Sequence, residues 1–114
     1  MKSEIAFRDL KIYIPEKTGF VSRNFCELMY VIYDAPDCCL HFNDKKKYKV
    51  EVPLHYMLQN LPQNDFFQCN RAVIINIVCC KEFNRIDGVI KMDDEREFFL
   101  ARRRAKDFNI KRYK

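Results

Sequence analysis

The segment that says most about the fold reads Leu61-Pro62-Gln63-Asn64-Asp65-Phe66-Phe67-Gln68-Cys69-Asn70-Arg71-Ala72-Val73-Ile74-Ile75-Asn76. Aromatic, β-branched and cysteine residues fill most of positions 66–69 and 73–83, and the polar pair Asn70-Arg71 lies between them. Two such runs around a short polar break are typical of β-strands joined by a turn. The segment therefore predicts two strands with a connection at residues 70–72.

The same pattern extends over most of the chain. Further runs predict strands at residues 10–14, 27–33, 38–42, 48–52, 89–92 and 97–100. Asn43-Asp44-Lys45 separates two of these runs. Asp87-Gly88 supplies the dipeptide of a tight hairpin turn, because glycine accepts the positive φ that other residues resist. A mostly β fold is expected.

Two segments carry helical signals instead. The apolar residues of the first recur at i, i+3, i+4 and i+7, as Leu54, Met57, Leu58 and Leu61. Pro53 suits the first turn and Pro62 ends the segment, so we predict a short amphipathic helix whose apolar stripe packs in the core. A second short helix is predicted to begin near Arg102 and to run through Phe108.

Length and hydrophobicity indicate one small domain spanning residues 1–114, because 48% of the residues are hydrophobic. No uncharged apolar run approaches the roughly 20 residues that a membrane-spanning helix needs. Glu4, Arg8 and Asp9 interrupt the N-terminus before an apolar signal region could form, so a cytoplasmic protein without membrane contact is expected.

The positive charge is concentrated at the C-terminus. Residues 1–100 carry 14 Lys and Arg against 15 Asp and Glu, a balance of −1, whereas residues 101–114 carry 7 against 1, a balance of +6. A cationic segment on an otherwise balanced domain suits contact with a polyanion such as nucleic acid. The alternative is a solvated face of the C-terminal helix.

The residue types that catalysis and metal binding need are scarce or badly spaced. Gly19 and Gly88 are the only glycines in the sequence, which excludes a glycine-rich phosphate loop. Six cysteines are present, but no C-x-x-C or H-x-x-x-H spacing occurs. We interpret the cysteines as free, mostly buried thiols, and we expect no enzyme activity, no metal and no cofactor.

Against this background, the segment at 61–76 resembles the LytTR-type (LytR/AlgR) DNA-binding domain of bacterial response regulators. That family has a short helix, a phenylalanine-containing strand, a His-Arg-Ser turn and a strand ending in Val-Asn. The residues of this chain that fall on the pattern are Phe67, Cys69, Arg71, Ile75 and Asn76. Residues 12–20 and 27–33 resemble the family's opening strands, and residues 99–104 resemble its closing Val-Ser-Arg-Arg segment.

The resemblance implies an elongated, antiparallel fold of about ten short strands in several sheets, which binds double-stranded DNA through loops that enter adjacent major grooves. Carried over by position, those loops centre on residues 34–38, 70–72 and 101–103. The DNA-binding residues implied are Asn70, Arg71, Ala72, Arg102, Arg103, Arg104 and Lys106. No catalytic residue is implied.

Different roles are expected within this set. Arg71, helped by Asn70, would probe base edges, and the arginines near Arg102 would hold phosphates. Asn76 is expected to be structural, because an amide at the end of an apolar run more often satisfies backbone groups than it touches a base.

The expected function is sequence-specific DNA binding by the effector domain of a bacterial transcriptional regulator, with a homodimer on repeated half-sites as a further possibility. Control by phosphorylation would need a receiver domain or sensor kinase outside this chain. Three positions depart from the family pattern, because Asn70 replaces His while Ala72 and Ala101 replace Ser. These departures leave open the alternative of a LytTR-like protein-interaction module that has lost DNA binding.

Overall fold

The structure is a computed structural model that describes residues 4–108. Within this range the chain forms eleven β-strands and two short α-helices. The strands are β1 Ala6–Arg8, β2 Lys11–Glu16, β3 Gly19–Asn24, β4 Leu28–Asp34, β5 Asp37–Phe42, β6 Lys47–Val50, β7 Phe66–Asn70, β8 Val73–Asn76, β9 Cys80–Asn84, β10 Val89–Met92 and β11 Glu97–Phe99. The helices are α1 Leu54–Asn60 and α2 Arg102–Ala105.

The strands form three antiparallel sheets along an elongated molecule of 47 × 26 × 22 Å. A central five-stranded sheet has the order β6-β5-β4-β8-β7, and two three-stranded sheets have the orders β1-β2-β3 and β11-β10-β9. The mostly β, multi-sheet antiparallel fold expected from the sequence is confirmed.

The central sheet separates two apolar cores, because successive side chains of a strand point to opposite faces. Val31 and Ile74 belong to the core shared with β2 and α1, whereas Tyr30 and Ile75 belong to the core shared with β10 and β11. All four residues of β8 are buried, as expected for a strand covered on both faces.

The predicted strand over residues 73–83 is wrong as a single element. Asn76 ends β8, and a 3-10 turn, Ile77–Cys79, leads into β9 of another sheet. The buried Asn76 amide donates to the Leu28 carbonyl oxygen at 2.9 Å, and its Oδ1 accepts from the Val78 N–H at 3.0 Å. The structural role expected for Asn76 is thereby confirmed, and its side chain is the physical reason for the break.

Two strands lie outside the predicted runs. β1 and β3 flank β2 in the first sheet, and most of the β3 side chains are exposed. Such an edge strand lacks the apolar alternation on which the sequence prediction depended.

The two helices agree with the prediction to different degrees. In α1, Leu54 and Met57 are buried, followed by Leu61 at the C-cap, so the predicted apolar stripe packs in the core. The C-terminal helix was predicted to reach Phe108, but α2 ends at Ala105. No helix within residues 4–108 is long and apolar enough to cross a membrane.

A buried arginine fixes the end of the central sheet where β4 starts and β5 finishes. The guanidinium of Arg23 lies 3.1 Å from an Asp44 carboxylate oxygen, 3.5 Å from one of Glu27 and 4.1 Å from the centre of the Phe42 ring. A buried cation needs such partners, and here they neutralise its charge inside the protein.

Candidate nucleic-acid interface

The opposite end of the central sheet brings together two of the loops expected to contact DNA. β4 and β8 are antiparallel with Ile32 opposite Val73, so the hairpin at residues 34–37 lies beside the turn at residues 70–72. The Tyr33 N–H donates to the Ala72 carbonyl oxygen at 2.7 Å, which joins the two loops through the backbone.

The third expected loop is attached to the same end by two hydrogen bonds. The Ala101 N–H donates to the Cys69 carbonyl oxygen at 2.9 Å, and the Asn70 Nδ2 donates to the Phe99 carbonyl oxygen at 2.8 Å. Residues 34–37, 70–72 and 101–104 therefore form one surface, which we call the loop end.

Asn70 is a positioning residue of the loop end. Besides the bond from its Nδ2 to Phe99, its Oδ1 accepts from the Ala72 N–H at 2.9 Å. Both ends of the amide are thus used within the protein, one to shape the turn and one to hold the neighbouring segment. The sequence predicts that Asn70 helps Arg71 to probe base edges. The two bonds fix the backbone on either side of Arg71, which is compatible with that supporting role.

Three arginines project from this surface. Arg71, Arg102 and Arg103 are exposed, and none of them forms an ion pair with another residue in the part of the chain that the structure describes. Arg71 therefore forms no internal ion pair within residues 4–108. A guanidinium in this setting keeps its five donors for an external acceptor.

Arg104 has a different environment from its neighbours. It is half-buried, and its charge acts on the buried Cys69 thiol. Burial raises the pKa of Cys69 to about 12, and Arg104 acts in the opposite direction. This side chain lies against the inner side of the loop end.

Helix α2 is too short to be stable alone, and an aromatic residue anchors the segment that follows it. The Phe108 ring lies 5.2 Å from that of Phe67 on β7 and 5.0 Å from that of Phe83 on β9, measured between ring centres. Phe108 thus joins the central sheet to the third sheet. Lys106, in the turn between α2 and Phe108, is exposed.

The first loop brings negative charge to the same surface. Asp34 and Asp37 face each other across the hairpin between β4 and β5, Asp34 exposed and Asp37 half-buried. A carboxylate can accept a hydrogen bond from cytosine N4 in the major groove, but it repels a phosphate. The effect of these two side chains on a bound duplex would therefore depend on whether they meet a base edge or the DNA backbone.

One further turn, for which the sequence indicates only a hairpin, reaches this end. The turn at residues 85–88 joins β9 to β10, and the Leu100 N–H donates to the Gly88 carbonyl oxygen at 2.8 Å. Asp87-Gly88 indicated the turn correctly, and Gly88 has the expected positive φ of 66°. The strand register that places this turn beside Ala101 could not be predicted from the sequence.

Comparisons with known proteins agree with this arrangement. The family model of the LytTr DNA-binding domain matches residues 19–111, a span that contains the loops of the loop end. The chain belongs to the LytTR DNA-binding domain family. The LytTR fold is also found in a solved structure, the LytTr DNA-binding domain of a Bacillus cereus protein named as a methyl-accepting/DNA response regulator.

That structure superimposes with a TM-score of 0.76 at 16% sequence identity, covering 89% of this chain and 94% of the other. No curated protein matches this LytTR domain. The high coverage and TM-score show that the fold is shared, although most residues differ between the two chains.

Proposed function

We propose that this LytTR domain binds double-stranded DNA sequence-specifically through its loop end, as the effector domain of a bacterial transcriptional regulator. The observation that carries the proposal is the link from the Asn70 amide to the Phe99 carbonyl oxygen at 2.8 Å, which holds the turn with the exposed Arg71 next to the segment with the exposed Arg102 and Arg103. Loops that are already fixed to each other lose less conformational entropy when they contact one duplex.

Arg71 is the proposed base-reading residue. It lies at the tip of a two-strand turn, and a guanidinium can donate two parallel hydrogen bonds to guanine O6 and N7 in the major groove. The Asn70 side chain supports the turn, so the position of Arg71 depends on two internal hydrogen bonds. Preorganisation of this kind lowers the ordering cost of binding.

The residues around α2 are the proposed phosphate contacts. Arg102, Arg103 and Lys106 are exposed on one short segment, and Arg104 reinforces them from its half-buried position. Each phosphate that such a side chain neutralises releases counterions, which makes binding salt-dependent with a slope of about 0.9 per contact. Ala72 and Ala101 lack the hydroxyls of the family pattern, and their backbone N–H groups already donate within the protein, to Asn70 Oδ1 and to the Cys69 carbonyl oxygen.

The proposed binding mode places the loops of one copy in adjacent major grooves and includes a second copy on a repeated half-site. The molecule is 47 Å long, and one helical turn of DNA spans roughly 34–36 Å between half-sites. Stoichiometry measured on one-site and two-site duplexes tests this part independently of the contacts made by each copy.

The test begins with selection of bound duplexes from a random-sequence pool, followed by anisotropy titration of the selected duplex. Arg71→Ala is expected to lose affinity for the selected sequence by about 1–3 kcal/mol while binding of unrelated duplexes changes little. Arg102→Ala is expected to weaken both and to reduce the salt slope by about 0.9. The matched control is Arg8→Ala, because Arg8 is also exposed and lies on β1, outside the loop end.

The alternative of a protein-interaction module makes the opposite prediction. If no duplex is enriched and the wild-type domain does not bind DNA at low salt, the DNA-binding proposal fails. If the domain binds DNA but all three arginine variants behave alike, the loop end is not the interface.

A further inference from the structure

A groove separates the turn at residues 85–88 from helix α2, and arginine and apolar side chains both line it. Its volume is about 660 Å³, and its walls include Arg85, Ile86, Phe99 and Arg102. Arg102 belongs to the loop end, so the groove is continuous with that surface. Arg85 had no role in the sequence analysis.

The turn that forms one wall is fixed by its own hydrogen bonds. Asn84 Oδ1 accepts from the Ile86 and Asp87 N–H groups at 3.0 and 3.1 Å. The Gly88 N–H donates to the Asn84 carbonyl oxygen at 2.8 Å, and the Gly88 carbonyl oxygen accepts from the Leu100 N–H at 2.8 Å. The side chains of Arg85 and Ile86 therefore extend from a defined backbone.

Two apolar side chains that line the groove are unusually exposed. Ile86 is 95% exposed and Phe99 is 59% exposed. Arg85 is exposed and has no ion-pair partner within residues 4–108. Apolar side chains presented next to unpaired arginines indicate a surface that meets a partner with both anionic and apolar parts.

We propose that this groove binds one phosphodiester strand of the same duplex, so that Arg85 adds a phosphate contact next to that of Arg102. The backbone of DNA alternates phosphates with the apolar faces of deoxyribose, and the groove offers Arg85 and Arg102 for the first and Ile86 and Phe99 for the second. This inference rests on the proposed function and extends its footprint by a fourth loop.

The negative charge of Asp87 repels a phosphate in the groove, so its removal tests whether the bound group is an anion. It lies in the same turn and lines the groove, and its carboxylate accepts from Asn84 Nδ2 at 3.0 Å. Removal of this negative charge should strengthen binding of phosphate, whereas it should leave a contact between apolar surfaces unchanged.

The experiment measures anisotropy titrations over a range of salt concentrations, together with hydroxyl-radical footprints, on a duplex recovered by selection. Arg85→Ala is expected to weaken binding about tenfold, as for one charge-assisted hydrogen bond, and to reduce the salt slope by about 0.9. It should also lose protection at one edge of the footprint. Asp87→Asn is expected to strengthen binding about two- to fivefold.

Ile86→Ser completes the set, because loss of an apolar contact should weaken binding with no change in salt slope. Arg8→Ala is the control for removal of an exposed arginine. Circular dichroism of each variant verifies the fold, and Asp87→Asn, which gains affinity, keeps the proposal falsifiable if Arg85→Ala should unfold.

Three outcomes overturn the inference in distinguishable ways. If wild-type protein binds no duplex, the proposed function fails and the groove proposal fails with it. If Arg71→Ala and Arg102→Ala weaken binding while Arg85→Ala and Asp87→Asn match Arg8→Ala, the groove proposal alone is wrong. If Ile86→Ser abolishes self-association and leaves DNA affinity unchanged, the groove is an interface between copies of the chain.

Discussion

Replacement of Asn70 by aspartate tests the link between the loops with a change of a single group. Asn70→Asp keeps an oxygen for the Ala72 N–H but loses the donor to the Phe99 carbonyl oxygen, at 2.8 Å in the wild type. One net hydrogen bond is about 0.5–1.5 kcal/mol, and a carboxylate held against a carbonyl oxygen adds repulsion, so we expect a loss of about 1–3 kcal/mol. A domain with a stability of about 5–15 kcal/mol remains folded after such a loss.

Urea unfolding followed by circular dichroism measures this loss, and hydrogen exchange locates it. The Ala101 N–H, which donates to the Cys69 carbonyl oxygen, should exchange faster in Asn70→Asp, because the segment it belongs to is less firmly held. The deficit relative to wild type should shrink as the pH falls towards about 4, where the new carboxyl gains a proton and can donate again.

Asn60→Asp is the matched control, because the Asn60 Nδ2 also donates to a backbone carbonyl oxygen at 2.8 Å in an exposed bond, that of Tyr56, but within α1 and not between two loops. The reasoning is refuted if Asn70→Asp costs no more than Asn60→Asp and the Ala101 amide exchanges as in the wild type.

Three further predictions concern the rest of the domain. Asn76→Leu should lose about 2–4 kcal/mol in urea unfolding, because the buried Leu28 carbonyl oxygen and Val78 N–H lose their partners; an unchanged midpoint would contradict this. Burial, with Arg96 and Lys47 nearby, lowers the pKa of His41, so its contribution to stability is complete above the ordinary value of 6.5 and is lost as the pH falls below it. Unfolding at pH 7.5 and 5.0 should therefore show a smaller pH effect in His41→Gln than in the exposed control His55→Gln, and equal effects would exclude His41 as the source. Burial raises the pKa of Cys38 to about 11 and that of Cys69 to about 12, so alkylation of the native protein should start at exposed Cys26, and Cys26→Ser should remove the fast phase; a fast phase that persists would place the reactive thiol elsewhere.

The elements that sequence predicted best are those whose burial follows one regular period. The spacing of Leu54, Met57 and Leu61 indicated a helix stripe, and these residues are buried. Asp87-Gly88 indicated a turn because its backbone needs are local. Features that depend on local chemistry of this kind can be predicted without the tertiary structure.

The errors occurred where tertiary contacts override the local pattern. The apolar run after Val73 reads as one strand, but the Asn76 amide bonds to a carbonyl group 48 residues earlier and turns the chain into another sheet. The end of α2 depends on Phe108, which packs between Phe67 and Phe83 instead of continuing the helix. Neither contact can be seen in a window of sequence.

The site shows the same division. The turn at Arg71 was identified from its resemblance to a family motif, whereas the internal bonds of Asn70 depend on Phe99, which is 29 residues away. Arg85 carried no motif at all, because its position beside Arg102 follows from the pairing of β9, β10 and β11. Cys26 was grouped with the buried thiols but is exposed, since a 3-10 turn interrupts the strand pattern there.

The central claim is that the loops at one end of the β scaffold act together on DNA. Backbone amide NMR of the labelled domain, titrated with a selected duplex, measures this directly. The amide signals of residues 70–72 and 101–104 should shift together along one binding curve. The amide signals of the turns at residues 43–46 and 93–96, at the other end of their sheets, should not shift. Shifts confined to those distant turns, or loops that follow different curves, would contradict the account.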